Sequence, residues 1–167
     1  MHDELTKVDI EKMQAEIDYR TRELRPKLIE EVQRTRAFGD LSENYEYKTA
    51  KQEKNRNDSR IRYLERMIRT AKVIEVPSGG DEAGLFDRVT IYVEDDEEEQ
   101  VIELVTTLRQ DARKGLISKE SPLGQAVMGH RVGDRVLVQA SPSYSYYVTL
   151  RAIEKGEDDR NLEISRY

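Results

Sequence analysis

The sequence predicts an α+β protein in which an N-terminal antiparallel coiled-coil hairpin precedes an antiparallel β-sheet domain with one short helix. Three observations carry that expectation. Two apolar seams with helical spacing occupy residues 1–76, a Pro/Gly/Ser-rich stretch at 77–84 ends the helical periodicity, and residues 85–167 break into alternating runs separated by turn residues.

The first seam runs Ile10, Met13, Ile17, Leu24, Leu28, Val32, with steps of 3, 4, 7, 4 and 4 residues, the pattern of a coiled-coil seam. Arg20 interrupts it once. Pro26 lies within the same helix, where a missing N–H and a ring clash with the preceding turn should bend the axis. A second seam follows at Ala50, Ile61, Leu64, Ile68 and Ala71, with Lys54 and Asn57 in the intervening positions. Between the seams, Ala37-Phe38-Gly39-Asp40-Leu41-Ser42-Glu43-Asn44 reads as a tight turn, Gly39 ending one helix and Asp40 suited to opening the next. Two helices of about 28 residues would make a rod on the order of 42 Å long.

Asp40, Glu43 and Glu46 follow one another at three-residue steps, so helical spacing brings their carboxylates together. Two readings stay open. Asp-x-x-Glu at a helix start is a capping pattern, with Asp40 accepting a backbone N–H and Glu43 reaching back. The same two carboxylates also suit a divalent cation, although two alone cannot complete the near-octahedral shell of Mg²⁺ and the remaining ligands must come from water, a substrate phosphate or a second protein.

In the C-terminal half, Leu85–Glu94, Val101–Leu108, Arg135–Ala140, Tyr144–Ile153 and Asn161–Arg166 are candidate strands, and the acidic run Glu94–Glu99 is a candidate hairpin turn. Ser121-Pro122-Leu123-Gly124-Gln125-Ala126-Val127-Met128-Gly129 reads as a short helix with Ser121 as N-cap and Pro122 in its first turn. Tyr144, Tyr146 and Tyr147 could stack bases, but alternating aromatics in a strand read first as packing residues, and no function is assigned to them.

Composition narrows the function. The 167 residues are 37% hydrophobic and 37% charged, with no Trp and no Cys, which excludes disulfides, thiolate nucleophiles and cysteine zinc sites and disfavours an enzyme with a deep apolar pocket. His2 and His130 stand far apart without a catalytic or ligand motif. No apolar stretch approaches the roughly 20 residues of a membrane span and the N-terminus has no signal-peptide character, so a cytoplasmic, non-membrane protein is expected. The net charge of −6 is unevenly divided: residues 1–75 hold 17 basic and 16 acidic side chains, residues 76–167 hold 11 and 18. Nine basic against three acidic residues lie between Lys48 and Lys72. That segment is either a solvated helix face or a stripe that follows a nucleic-acid backbone.

The tip motif Gly39-Asp40-Leu41-Ser42-Glu43-Asn44-Tyr45-Glu46-Tyr47, with Lys114-Gly115-Leu116-Ile117-Ser118 and Ser121-Pro122-Leu123-Gly124, resembles the bacterial Gre transcript-cleavage factors, GreA type more than GreB, over nearly the whole chain. Arg25-Pro26 and Gly133-Asp134 fit the same family. The resemblance implies a hairpin that inserts into the secondary channel of bacterial RNA polymerase and an FKBP-like C-terminal domain docked outside it. It further implies that Asp40 and Glu43 help hold an Mg²⁺ ion shared with the polymerase active centre and promote hydrolysis of backtracked nascent RNA, the factor being a monomer without enzymatic activity of its own. Docking falls on the loop before the short helix, here Glu120, Ser121 and Pro122. In the implied pose Lys51, Lys54 and Arg56 lie nearest the tip among the central basic residues and are expected to contact RNA. Tyr45 stands where the family commonly has a small residue, and residues 156–167 run past the usual family end. Two alternatives belong to other classes: a Gre-fold inhibitor that plugs the channel without stimulating cleavage, which the intact tip motif disfavours, and a hairpin chaperone, which the acidic tip disfavours.

Overall fold

The computed structural model describes residues 3–39, 43–75, 80–158 and 163–164. The chain divides into two compact units, Ile10–Ala71 and Asp3–Asp9 with Lys72–Tyr167. Among the described residues no helix is long and apolar enough to cross a membrane.

In the first unit, helices α1 (Lys7–Tyr19, its first turn belonging to the other unit) and α2 (Arg25–Arg36) form one arm and α3 (Tyr45–Thr70) the other. At 1.5 Å per residue the 26 residues of α3 span about 39 Å. The arms run antiparallel, since Glu16 meets Arg60, Arg20 meets Asn57 and the Thr35 carbonyl meets Asn44. Met13, Ile17, Ala50, Ile61 and Leu64 are buried, while Leu24, Leu28 and Val32 are only partly covered.

The polar interruptions of the two seams find each other. Arg20 Nη1 donates to Asn57 Oδ1 at 3.0 Å and Asn57 Nδ2 donates to the Arg20 carbonyl at 3.2 Å. Asn57 is 2% exposed, and such pairing is what makes burial of an amide tolerable. One turn further from the tip, buried Arg60 meets Glu16 at 3.1 Å. A polar pair at matching seam positions also sets the register of the arms, because slippage would strand both groups.

The Pro26 discontinuity takes the form of a π-helical turn at Arg20–Leu24, between α1 and α2. The Arg25 N–H bonds back to the Arg20 carbonyl, five residues away, and Pro26, with no N–H to donate, follows directly in the same continuous helical run.

The second unit holds a five-stranded sheet in the order β5-β4-β3-β7-β6, built from β3 (Arg88–Val93), β4 (Glu98–Val105), β5 (Leu116–Ser118), β6 (Arg135–Ser141) and β7 (Tyr144–Glu154). A parallel two-residue pair, β1 (Glu4–Leu5) with β2 (Lys72–Val73), lies in the same unit. The large sheet is antiparallel except for its edge strand β5, which runs parallel to β4 after residues 106–115 carry the chain back through two 3-10 turns. Strand β3 opens at Arg88 and not at Leu85, because Phe86 adopts φ +67 and turns the chain. The acidic turn is shorter than the charge run, Glu98 and Glu99 already pairing with Val93 and Tyr92. Of the candidate strand Asn161–Arg166, residues 163–164 have no regular structure and the others lie outside the described residues.

Val89, Ile91, Val93, Ile102, Leu104, Val136, Val138, Val148 and Leu150 fill one face of this sheet, covered by α4 (Pro122–Val127). The helix sits unusually close to β5. Ser121 caps it, accepting from the Gly124 N–H at 3.0 Å while its hydroxyl donates to the Ser118 carbonyl at 2.7 Å. A Cβ on Gly124 would fall 2.0 Å from that same carbonyl oxygen. Gly124→Ala must therefore push α4 off the strand, and its expected cost in denaturant unfolding is at least about 2 kcal/mol, against about 1 kcal/mol for Ser121→Ala.

Candidate functional site

At the tip, α2 ends at Arg36, Gly39 turns the chain with φ +110, and α3 begins at Tyr45. The cap of α3 is Asn44. Its Oδ1 accepts from the Tyr47 N–H at 3.0 Å and its Nδ2 donates to the Thr35 carbonyl at 2.7 Å, so one amide closes the start of α3 and the end of α2 together. Thr35, buried, returns its hydroxyl to the Glu31 and Val32 carbonyls.

This geometry bears on the two readings of the acidic tip. Because Asn44 supplies the N-cap oxygen, the capping role is taken by a residue beyond the Asp-x-x-Glu pair. Glu43 stands exposed just ahead of the helix; Asp40 lies outside the described residues. Glu46 occupies the first turn of α3, where a carboxylate is favoured by the helix dipole. Exposed aromatic rings flank the tip: Phe38 with the Arg34 guanidinium 5.2 Å from its centroid, and Tyr45 with the Lys48 ammonium at 5.5 Å. Arg34 also pairs with Glu31 and holds that carboxyl below its usual range. Hard carboxylate oxygens are the donors that Mg²⁺ prefers, so Asp40 and Glu43 fit a share of such an ion's shell, the rest coming from elsewhere.

The basic segment of α3 is less uniform than its composition. Lys51 and Arg56 are exposed, whereas Lys54 pairs with Asp58 at 2.9 Å, and Asp58 also faces Arg25 at 3.4 Å. Lys51 and Lys54 share one side, but Arg56 lies about 200° round the axis from Lys54.

In the other unit, Glu120 in the loop before α4 and Pro122 at the head of α4 are exposed to solvent, with the N-cap Ser121 partly covered. Glu120 is anchored by its backbone, its N–H donating to Ser118 Oγ at 3.1 Å, while its carboxylate lies 3.9 Å from Lys119. Lys119 in turn pairs with Glu4 and keeps that carboxyl below its usual range. A groove of about 430 Å³ runs beside the loop, lined by Ile117, Pro122, Leu123, Val138 and Tyr146 among others. The rigid cap and the Gly124 contact fix this loop on the end of β5.

The most informative residue overlooked in the sequence is Asn44. Its signal was present, an amide three residues before Tyr47 at the head of a helical period, but Asp40 offers the same chemistry four residues earlier. The Thr35 carbonyl that Asn44 also meets lies nine residues back in the chain, beyond the reach of local pattern.

Comparison with known proteins accords with these two units. A family model for the transcription elongation factor N-terminal domain matches residues 4–73, and one for the GreA/GreB C-terminal domain matches residues 77–155. Transcription elongation factor GreA of Chelativorans sp. (strain BNC1) is 38% identical over 148 residues, 88% of this chain and 94% of that protein. GreA of Sinorhizobium medicae (strain WSM419) is 38% identical over 145 residues, 86% of this chain and 91% of its own. The crystal structure of GreA factor homolog 1 (Gfh1) of Thermus thermophilus is 26% identical, covering 93% of this chain and 100% of that one, with a TM-score of 0.43. By the match of both domains and the identity over most of its length, the chain belongs to the GreA/GreB family of transcription elongation factors.

Proposed function

We propose that this protein enters the secondary channel of bacterial RNA polymerase tip first and stimulates Mg²⁺-dependent hydrolysis of backtracked RNA by the polymerase active centre, releasing arrested complexes. The observation that carries the proposal is the Asn44 cap, which supplies the N-cap oxygen of α3 and stands beside an exposed Glu43 just ahead of the helix. In this reading the hairpin brings two carboxylates to the polymerase active centre. Asp40 and Glu43 supply oxygen ligands to a shared ion, and Glu43 orients the attacking water. The chemistry such an ion supplies when bound is acidification of a water and neutralisation of charge on the phosphate. Glu120, Ser121 and Pro122 dock the second unit on the outer surface of the polymerase, and the protein works as a cytoplasmic monomer.

Stalled, backtracked elongation complexes test the proposal. Asp40→Ala and Glu43→Ala are expected to lower stimulated cleavage by at least about 100-fold, the size of losing a transition-state contact, while competition for polymerase stays within a few-fold. RNA incubated with Mg²⁺ and the protein alone is expected to stay intact. Full occupancy with no cleavage by the unaltered protein would identify it as a channel-plugging inhibitor instead.

Docking and chemistry separate at the α4 loop. Glu120→Lys and Pro122→Ala are expected to raise the factor concentration needed for half-maximal cleavage without changing the rate at saturation. An unchanged concentration dependence removes this loop from the interface.

The basic side chains of α3 give a third test. Replacing Lys51, Lys54 and Arg56 with Gln is expected to reduce stimulation most on extensively backtracked complexes and to flatten its salt dependence. Since Lys54 is held by Asp58, Lys51→Gln alone should account for more of the loss than Lys54→Gln. An equal response at short and long backtracks returns the segment to a solvated helix face.

A further inference from the structure

Beyond the end of the family match at residue 155, the chain runs back across its own N-terminal segment. The Gly156 N–H donates to Asp87 Oδ1 at 3.0 Å, and a Cβ on Gly156 would fall 2.1 Å from the Phe86 carbonyl oxygen, so this position admits only glycine at such close range. Lys155, just before it, pairs with the other oxygen of Asp87. Two residues further, Asp158 reaches Arg109.

Arg109 is the largest fully buried side chain among the described residues, and its guanidinium stacks 5.1 Å above the Phe86 ring. Its Nε donates to Asp9 Oδ1 at 2.6 Å, and its Nη1 and Nη2 grip the two oxygens of Asp158, the second at 3.0 Å. Asp9 has a second role. It reciprocally caps α1 with Thr6, its Oδ2 accepting from the Thr6 N–H at 3.0 Å and its own N–H donating to Thr6 Oγ1 at 3.3 Å. The Thr6 hydroxyl then donates to Asp158 Oδ2 at 2.8 Å. A buried guanidinium is tolerated only when its charge and N–H groups are met, and here one carboxylate comes from the head of α1 and the other from the tail.

We propose that residues 156–158 form a C-terminal strap that locks the junction between β1 and the first turn of α1 onto Arg109. The strap closes three contacts at once: Gly156 on the Phe86-Asp87 turn, Asp158 on Arg109, and Asp158 on Thr6. Opening it leaves one edge of the Arg109 guanidinium without its carboxylate and removes a partner from the Thr6/Asp9 cap. Residues 156–158 thereby set how firmly the start of α1 is held.

The test uses the full chain with Asp158→Ala, the neighbouring exposed-site control Glu157→Ala, and the sheet-core control Val148→Ala. Asp158→Ala is expected to lower the thermal midpoint by about 10 °C or more and to speed amide hydrogen exchange selectively at Thr6–Asp9 and Leu108–Gln110. Glu157→Ala should leave both unchanged, and Val148→Ala should speed exchange throughout the sheet. Should Asp158→Ala fail to fold, Asp158→Asn, which keeps one acceptor oxygen, is expected to show the same localised increase at smaller size. An Asp158 variant with a native midpoint, or with exchange raised uniformly as in Val148→Ala, overturns the strap.

Discussion

The side-chain amide of Asn44 joins the two arms of the hairpin at their far end. Its oxygen ends the run of unpaired N–H groups at the start of α3, and its nitrogen satisfies the Thr35 carbonyl in the last turn of α2. A helix terminus without such a partner must find water or another side chain. With the cap supplied by a neutral amide, acidic side chains can be placed at the tip without being needed to hold it together. An N-cap contributes about 1 kcal/mol, yet this one also decides which groups the tip can present.

Rigidity behind the tip comes from the paired interruptions of the seams. Arg20 and Asn57 would each weaken an apolar seam alone, but facing one another they exclude the slipped registers that a purely apolar seam would tolerate. The neighbouring Glu16–Arg60 pair repeats the device one turn away. In the sheet unit the corresponding constraint is the close approach of Gly124 to the Ser118 carbonyl, which sets Glu120 and the head of α4 at Pro122 directly on the end of β5.

Much of this was legible in the sequence, and the parts that were not share a cause. The arms, the tip turn, the alternating strands and the Ser121-capped helix follow from periodicity and turn chemistry over a few residues. Arg20 and Asn57 were each visible as a defect, but their pairing depends on a register that neither helix specifies alone. Pro26 announced a discontinuity without saying that a π-helical turn would take it up. Strand β5 is three residues long, too short for alternation to register, and is held by β4 through a crossover. Asp40 and Asn44 both have capping chemistry in the sequence, and the bond from Asn44 to a carbonyl on the opposite arm could not be read from it. The Lys54–Asp58 pair was available from i,i+4 spacing. Arg109 carried no local signal, since its partners lie 100 residues before it and 49 after.

The central claim, that the tip supplies ligands to an ion shared with polymerase, is tested most directly by titrating Mg²⁺ into backtracked elongation complexes with and without saturating factor and following transcript cleavage. The account predicts that the factor lowers the Mg²⁺ concentration needed for half-maximal cleavage, and that Glu43→Gln returns it to the value of polymerase alone while the variant still occupies the complex. An Mg²⁺ requirement unchanged by the factor, with cleavage nonetheless stimulated, would contradict it.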